Sequence, residues 1–154
     1  MVHALYAVTR MLLLIKPLNG GFMPNKKQKT FVICSVRAQS TEQLIATELK
    51  YIKPLEEAGF DVHWPPRDTT QNDTAGGGYN ICMENTRAIS DADCVHIIFD
   101  SNSVGSAFDL GTAFALNKRL HILNKEDVKP TSGKSFQNVI LNWEQYGPPT
   151  KFNS

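Results

Sequence analysis

Between residues 94 and 123 the chain passes through an apolar segment, Cys94-Val-His-Ile-Ile-Phe-Asp100, a polar turn, a helical stretch, and a second apolar segment, Asn117-Lys-Arg-Leu-His-Ile-Leu123. The first segment is apolar without alternation, as a strand buried on both faces is, and the second returns after the length of one helix. That order predicts a parallel β-α-β unit, and parallel sheets carry helices on both faces. It confines the chain to the α/β class, as a flavodoxin- or Rossmann-like three-layer αβα domain with a parallel central sheet. Such sheets bind ligands beyond the carboxyl ends of their strands. Here that end carries Asp100, Ser103, Gly105, Ser106 and Asp109, in a turn that opens a helix with outward N–H groups, suited to a small anionic or sugar-bearing ligand.

The flanking elements follow the same logic. Phe31-Val-Ile-Cys34 predicts the first strand, and Ser40 or Thr41 caps a helix whose apolar stripe is Leu44, Ile45, Leu49, Ile52 and Leu55, with Pro54 kinking or shortening it. Ala58-Gly59 ends that helix, and Phe60, Val62 and Trp64 alternate as a second strand. Residues 65–78, rich in Pro, Asp, Thr, Asn and Gly, read either as a mobile lid or as a plain surface connector. Residues 79–91 predict a helix with Ile81, Ala88, Ile89 and Ala92 inward. Asn85 shares that face, so its amide needs a partner in the core or in a ligand cavity. Residues 126–134 form a polar loop and 136–141 a last apolar element, with Trp143 and Tyr146 expected to cover the core.

A chain of 154 residues, 42% hydrophobic, suits one domain, expected over 29–154. Residues 1–28 read as a basic, poorly ordered extension. Arg10, Lys16, Lys26 and Lys27 lie in it and no acidic residue precedes Glu42, a pattern open also to a presequence; Met11 or Met23 would serve as alternative starts. Met11-Leu-Leu-Leu-Ile15 is too short to span a membrane. With 16 basic and 15 acidic residues the net charge is +1, which gives no field for a nucleic-acid polymer or a membrane surface and favours a small-molecule ligand. Cys34, Cys82 and Cys94 are odd in number, lack a CxxC pair and sit in apolar patterns, as reduced thiols of a cytoplasmic protein do. The four histidines lack metal-ligand spacing, and His96 and His121 fall within expected strands as packed residues; no metal or organic cofactor is expected.

Ser103-Val-Gly-Ser-Ala-Phe-Asp109-Leu-Gly111, followed by Ala-Phe-Ala and Asn117-Lys118-Arg119, resembles the catalytic turn and helix of the nucleoside 2-deoxyribosyltransferase-like family. Within it the sequence is most similar to the 2'-deoxynucleoside 5'-monophosphate N-glycosidases. Cys34-Ser35-Val36-Arg37 resembles that family's Gly-Ser-Ile-Arg loop, and the likeness extends through residues 81–93, covering roughly the middle two-thirds of the chain. The resemblance implies cleavage or transfer of the N-glycosidic bond of a deoxynucleoside or its 5'-monophosphate, in a homodimer or higher homo-oligomer, without cofactor. It places Asp109 at the position of the nucleophilic carboxylate, Ser35, Val36, Arg37, Ser103, Gly105 and Ser106 around the substrate and its phosphate, and Asn85 and Asp100 beside the sugar or base.

Breaking that bond requires a carboxylate beneath the anomeric carbon and assistance for the departing base. On the residues alone, Ser106-Ala-Phe-Asp109 reads first as a capping pattern, with Ser106 as cap and Asp109 reaching back to it, and only the resemblance puts catalysis ahead. Two departures from the family pattern bear on activity. Asp109 stands where the family has glutamate, one methylene shorter, and Asn85 stands where it has a second catalytic aspartate; an amide is neither acid nor base at ordinary pH. Two readings therefore follow: an N-glycosidase or deoxyribosyltransferase, or a nucleotide-binding protein of the same fold with weak or no catalysis. A flavodoxin-like module for another phosphorylated ligand is a third.

Overall fold

The computed structural model describes residues 26–37 and 39–148; the expected N-terminal extension up to residue 25 lies outside the described residues. Four strands, β1 (Lys29–Ile33), β2 (Asp61–His63), β3 (Cys94–Ile97) and β4 (Arg119–Ile122), form an all-parallel sheet in the order β2-β1-β3-β4. The helical segments are α1 (Thr41–Thr47), α2 (Lys53–Glu57), α3 (Pro65–Asp68), α4 (Tyr79–Asp91), α5 (Val104–Ala115) and α6 (Phe136–Tyr146). This is the expected three-layer α/β architecture.

Both faces of the sheet are buried. Phe31, Ile33, Val95, Ile97, Leu120 and Ile122 meet Ile89 of α4, Leu110 and Ala113 of α5, and Ile140 and Trp143 of α6. On the other face Val32, Cys34 and Val62 meet Ile52, Leu55 and Trp64. The connection from β1 to β2 moves one way along the sheet and that from β2 to β3 the other, so two right-handed crossovers place their helices on opposite faces. The direction in which strands are added across the sheet reverses between β1 and β3, which makes their carboxyl ends the topological switch point.

Pro54 does not break its helix. Lacking an N–H, it would leave a carbonyl unpaired in a regular turn. A wide π turn, Glu48–Ile52, precedes it, with the Lys53 N–H donating to the Glu48 carbonyl. The extra residue rotates the apolar stripe: Ile52 and Leu55 are buried, whereas Ile45 and Leu49 are more than half exposed, against the expected single stripe. Ser40 caps α1 with a reciprocal Gln43 bond, as the sequence suggested. Asn117, expected at the start of a strand, instead ends α5 with φ 54°. The next residue, Lys118, places its ammonium 2.7 Å from the carbonyls of both Ser90 and Ala92, closing the C-terminal end of α4.

Trp143 is buried as expected, but Tyr146, the last residue of α6 before Gly147, is 76% exposed. His96 is packed, its Nδ1 2.7 Å from the Thr30 hydroxyl and its ring stacked on His121; burial pushes its pKa down to about 3, so it is neutral. Among the described residues no helix is long and apolar enough to cross a membrane.

Candidate functional site

Asp109 lies on the second turn of α5, where the helix leaves the carboxyl end of β3, and is only 7% exposed. Asn85 lies in the middle of α4 on its buried face. Because both helices pack on the same face of the sheet, the two side chains meet: Asn85 Nδ2 donates to Asp109 Oδ2 at 3.2 Å. Burial pushes the Asp109 carboxyl up from 3.8 to about 6, and the Asn85 amide opposes this by donating to the anion. Among the described residues Asp109 Oδ1 accepts no hydrogen bond, so one oxygen is held and the other is free.

The capping alternative fails. The N-cap of α5 is Ser103, whose Oγ accepts from the Ser106 N–H at 3.2 Å and from the Ser106 hydroxyl at 2.9 Å. With the helix beginning at Val104, Asp109 is too far along it to reach the cap. Ser103 and Ser106 thus form a local pair, while the Ser103 hydroxyl hydrogen stays uncommitted and the Val104 and Gly105 N–H groups lead the helix. A Cβ built on Gly105 meets nothing within 4 Å, so packing does not require glycine there and the space above the helix start is open.

At the end of β1, the Ser35 backbone carbonyl accepts from the Gln39 side chain at 2.8 Å, and Val36 packs against the core beside Val32 and Cys34. Arg37 is exposed and reaches the start of α4, where a Cβ on Gly78 would lie 3.4 Å from its Nη2. Ser35, Val36 and Arg37 therefore border the switch point from one strand, and Ser103, Gly105 and Ser106 from the next. Asp100 accepts the Asn102 N–H through Oδ1 at 2.9 Å within its own turn and makes no hydrogen bond with Asp109. With Ser103, Ser106 and Phe136 it lines a hollow of about 180 Å³ at the start of α5.

The segment read as a lid is organised at both ends. Pro65–Asp68 is helical, and Arg67 pairs with Glu56 and with Asp68, each at 2.8 Å. Asp73 accepts from the Asn80 side chain and from the Asn80, Gly76 and Gly78 N–H groups, which hold its carboxyl below the usual range. A side chain on Gly76 would collide with that carboxylate.

Three side chains around Asp109 and Asn85 were not assigned to the site from the sequence. Cys34 is close enough for the two groups to disfavour each other's charge, and burial pushes its thiol up to about 12, which makes it inert as a nucleophile. The buried Trp64 indole N–H lies towards that sulfur yet has no partner in hydrogen-bond geometry. Thr69, 5% exposed, donates from Oγ1 to Asn85 Oδ1 at 2.9 Å. None carries a local sequence signal, because their relation to Asn85 and Asp109 arises only when β1, β2 and α4 assemble. The buried Asn124, which bridges the Phe99 N–H at 2.7 Å and its carbonyl at 2.9 Å, is similar in fixing the end of β3 from the adjacent strand end.

Converting Asn85 to a carboxylate tests this geometry. In Asn85→Asp two buried carboxyls share one contact, so the pair holds a proton to higher pH. A raised folded-state pKa gives stability that is complete at low pH and lost as pH rises. Urea unfolding should show Asn85→Asp close to wild type near pH 5 and about 2 kcal/mol weaker near pH 8. Equal losses at both would place the two side chains apart.

No family model matches this chain, and no curated protein matches it either.

Proposed function

We propose that this protein cleaves or transfers the N-glycosidic bond of a deoxynucleoside or deoxynucleoside 5'-monophosphate, with Asp109 as the carboxylate facing the anomeric carbon. The observation that carries the reading is the buried Asp109 at the switch point, held through Oδ2 by Asn85 with Oδ1 free. A carboxylate of raised pKa in a partly desolvated crevice favours a developing positive charge on the sugar more strongly than one in water would. The resemblance of Ser103–Gly111 and of Cys34–Arg37 to the deoxyribosyltransferase-like family supplies the substrate class.

The phosphate fits the other features of the crevice. The free hydroxyl hydrogen of Ser103, the leading N–H groups of α5 and the exposed guanidinium of Arg37 are donors suited to a 5'-phosphate. In this arrangement Ser35 and Val36 contribute backbone, and Gly105 and Ser106 the start of the helix. Asn85 orients the carboxylate rather than exchanging a proton with the base.

That same amide favours a second reading, a nucleotide-binding protein with little turnover, because among the described residues the one titratable group shown to bear on Asp109 is the Cys34 thiol, pushed up to about 12 and unable to assist the leaving base. Free-base chromatography separates the two. Prolonged incubation with ribo- and deoxyribonucleosides and their 5'-monophosphates should release base from the deoxynucleotide or deoxynucleoside class, and an added acceptor base distinguishes transfer from hydrolysis. Calorimetric binding without release would establish the second reading.

A further inference from the structure

Asn85 is itself held in turn. His63 Nε2 lies 2.9 Å from Thr69 Oγ1, Thr69 Oγ1 donates to Asn85 Oδ1 at 2.9 Å, and Asn85 Nδ2 donates to Asp109 Oδ2 at 3.2 Å. We propose that Thr69 and His63 are positioning residues for Asp109, a chain of oriented hydrogen bonds that fixes which end of the Asn85 amide meets the carboxylate. This rests on the reading of Asp109 as the reacting carboxylate.

The direction of the chain follows from what each group is able to give. An ionised carboxylate only accepts, so Asn85 must present its NH₂ and leave its carbonyl oxygen towards Thr69. That oxygen only accepts, so Thr69 must spend its single hydroxyl hydrogen on it. The Thr69 oxygen is then approachable only by a donor, which makes His63 the Nε2–H bearer. Three residues from β2, the segment after α3 and α4 thus point their donors one way, towards Asp109, across 46 positions of sequence.

His63 is well placed to hold this end. Its ring stacks on Phe31 with centroids 5.2 Å apart, which fixes its plane, and it forms part of the wall of a cavity of about 560 Å³ that also includes Asp61, Arg67, Asp68 and Glu84. Burial lowers its pKa most; the charges facing it are Asp68 and Arg67 of α3, Glu84 of α4 and Asp61 of its own strand, and Arg67 alone adds to that lowering. Cys34 from the end of β1 and Asn85 from α4 are the groups that bear on Asp109. Neither the neutral Nε2–H ring nor the imidazolium lacks the required donor, so the chain keeps its direction as His63 titrates.

The test uses the whole chain, with ¹³C-labelled aspartate, and the pair Thr69→Val and Thr69→Ser. Valine keeps the volume and removes the hydroxyl; serine keeps the hydroxyl. Nuclear magnetic resonance titration of Asp109 should show its carboxyl raised further in Thr69→Val and returned to the wild-type value in Thr69→Ser. Base release should fall about tenfold in kcat with KM within about twofold for valine, and recover with serine. Thermal unfolding of both variants separates this from general loss of fold, since a merely structural role would not be rescued in the titration. An unchanged Asp109 titration in a folded Thr69→Val overturns the chain. If wild type releases no base while the carboxyl still moves, the positioning stands and the proposed reaction is what fails.

Discussion

Asp109→Asn is expected to lose base release by at least about a thousandfold while becoming the more stable protein at neutral pH. Both effects come from one property. The carboxyl titrates near 6 in the folded chain against an ordinary 3.8, because burial disfavours its charge. A raised folded-state pKa makes its contribution favourable below about pH 4, and that contribution is lost as pH rises through 6. At pH 7.5 the native state therefore carries a buried charge that costs on the order of 2–3 kcal/mol relative to an uncharged group. Asparagine is nearly isosteric, accepts from the Asn85 amide through its own oxygen, and removes that cost. Urea unfolding at about pH 7.5 and pH 4 should show a gain for Asp109→Asn at the higher pH that vanishes at the lower. A variant stabilised equally at both would mean that Asp109 is not ionised in the folded protein at neutral pH.

The largest purely structural effect is expected at Trp143. Its ring is 4% exposed, meets Phe114 edge to face at 5.1 Å between centroids, and donates from Nε1 to the Lys118 carbonyl at 2.9 Å. Trp143→Ala removes a large buried surface, leaves a cavity and frees that carbonyl, which together cost about 3–5 kcal/mol. For a domain of this size the expected fall in Tm is about 10–20 °C. Lys118 also closes the end of α4, so the loss reaches the helix that carries Asn85. Tyr146→Ala, one turn further along the same helix and exposed, should change stability by less than about 0.5 kcal/mol. A comparable loss in both variants would contradict the packing of α6.

Trp143 and Tyr146 also show where sequence reading stops. Both are aromatic and close together at the end of one apolar run, and only the assembled packing, with Trp143 against Phe114 and the Lys118 carbonyl, decides which is covered. The α/β class, the four strands and the inward face of Asn85 were legible, because each rests on periodicity or on which face a residue shares with its neighbours; that the Asn85 amide meets Asp109 was not. The start of α5 was not: Ser103 and Ser106 both satisfy an S-x-x pattern with a polar residue three positions on, and packing selected the earlier one. The exposure of Ile45 and Leu49 escaped because a single added residue in the π turn shifts helical phase by roughly a quarter turn. Thr69 and His63 carried no signal, since a threonine in a polar loop becomes part of a site only through contacts 16 positions away with Asn85. Asp100 was placed correctly at the strand end, but its carboxylate is used by its own turn.

The role of Asp109 is tested most directly by base release from deoxynucleoside 5'-monophosphates between about pH 4.5 and 8.5, in wild type and Asp109→Asn side by side. The expected result is release by wild type that increases through about pH 6, as the carboxyl ionises, and none from the variant at any pH. Release that persists in Asp109→Asn, or its absence from wild type across the whole range, would contradict the assignment of Asp109 as the reacting carboxylate.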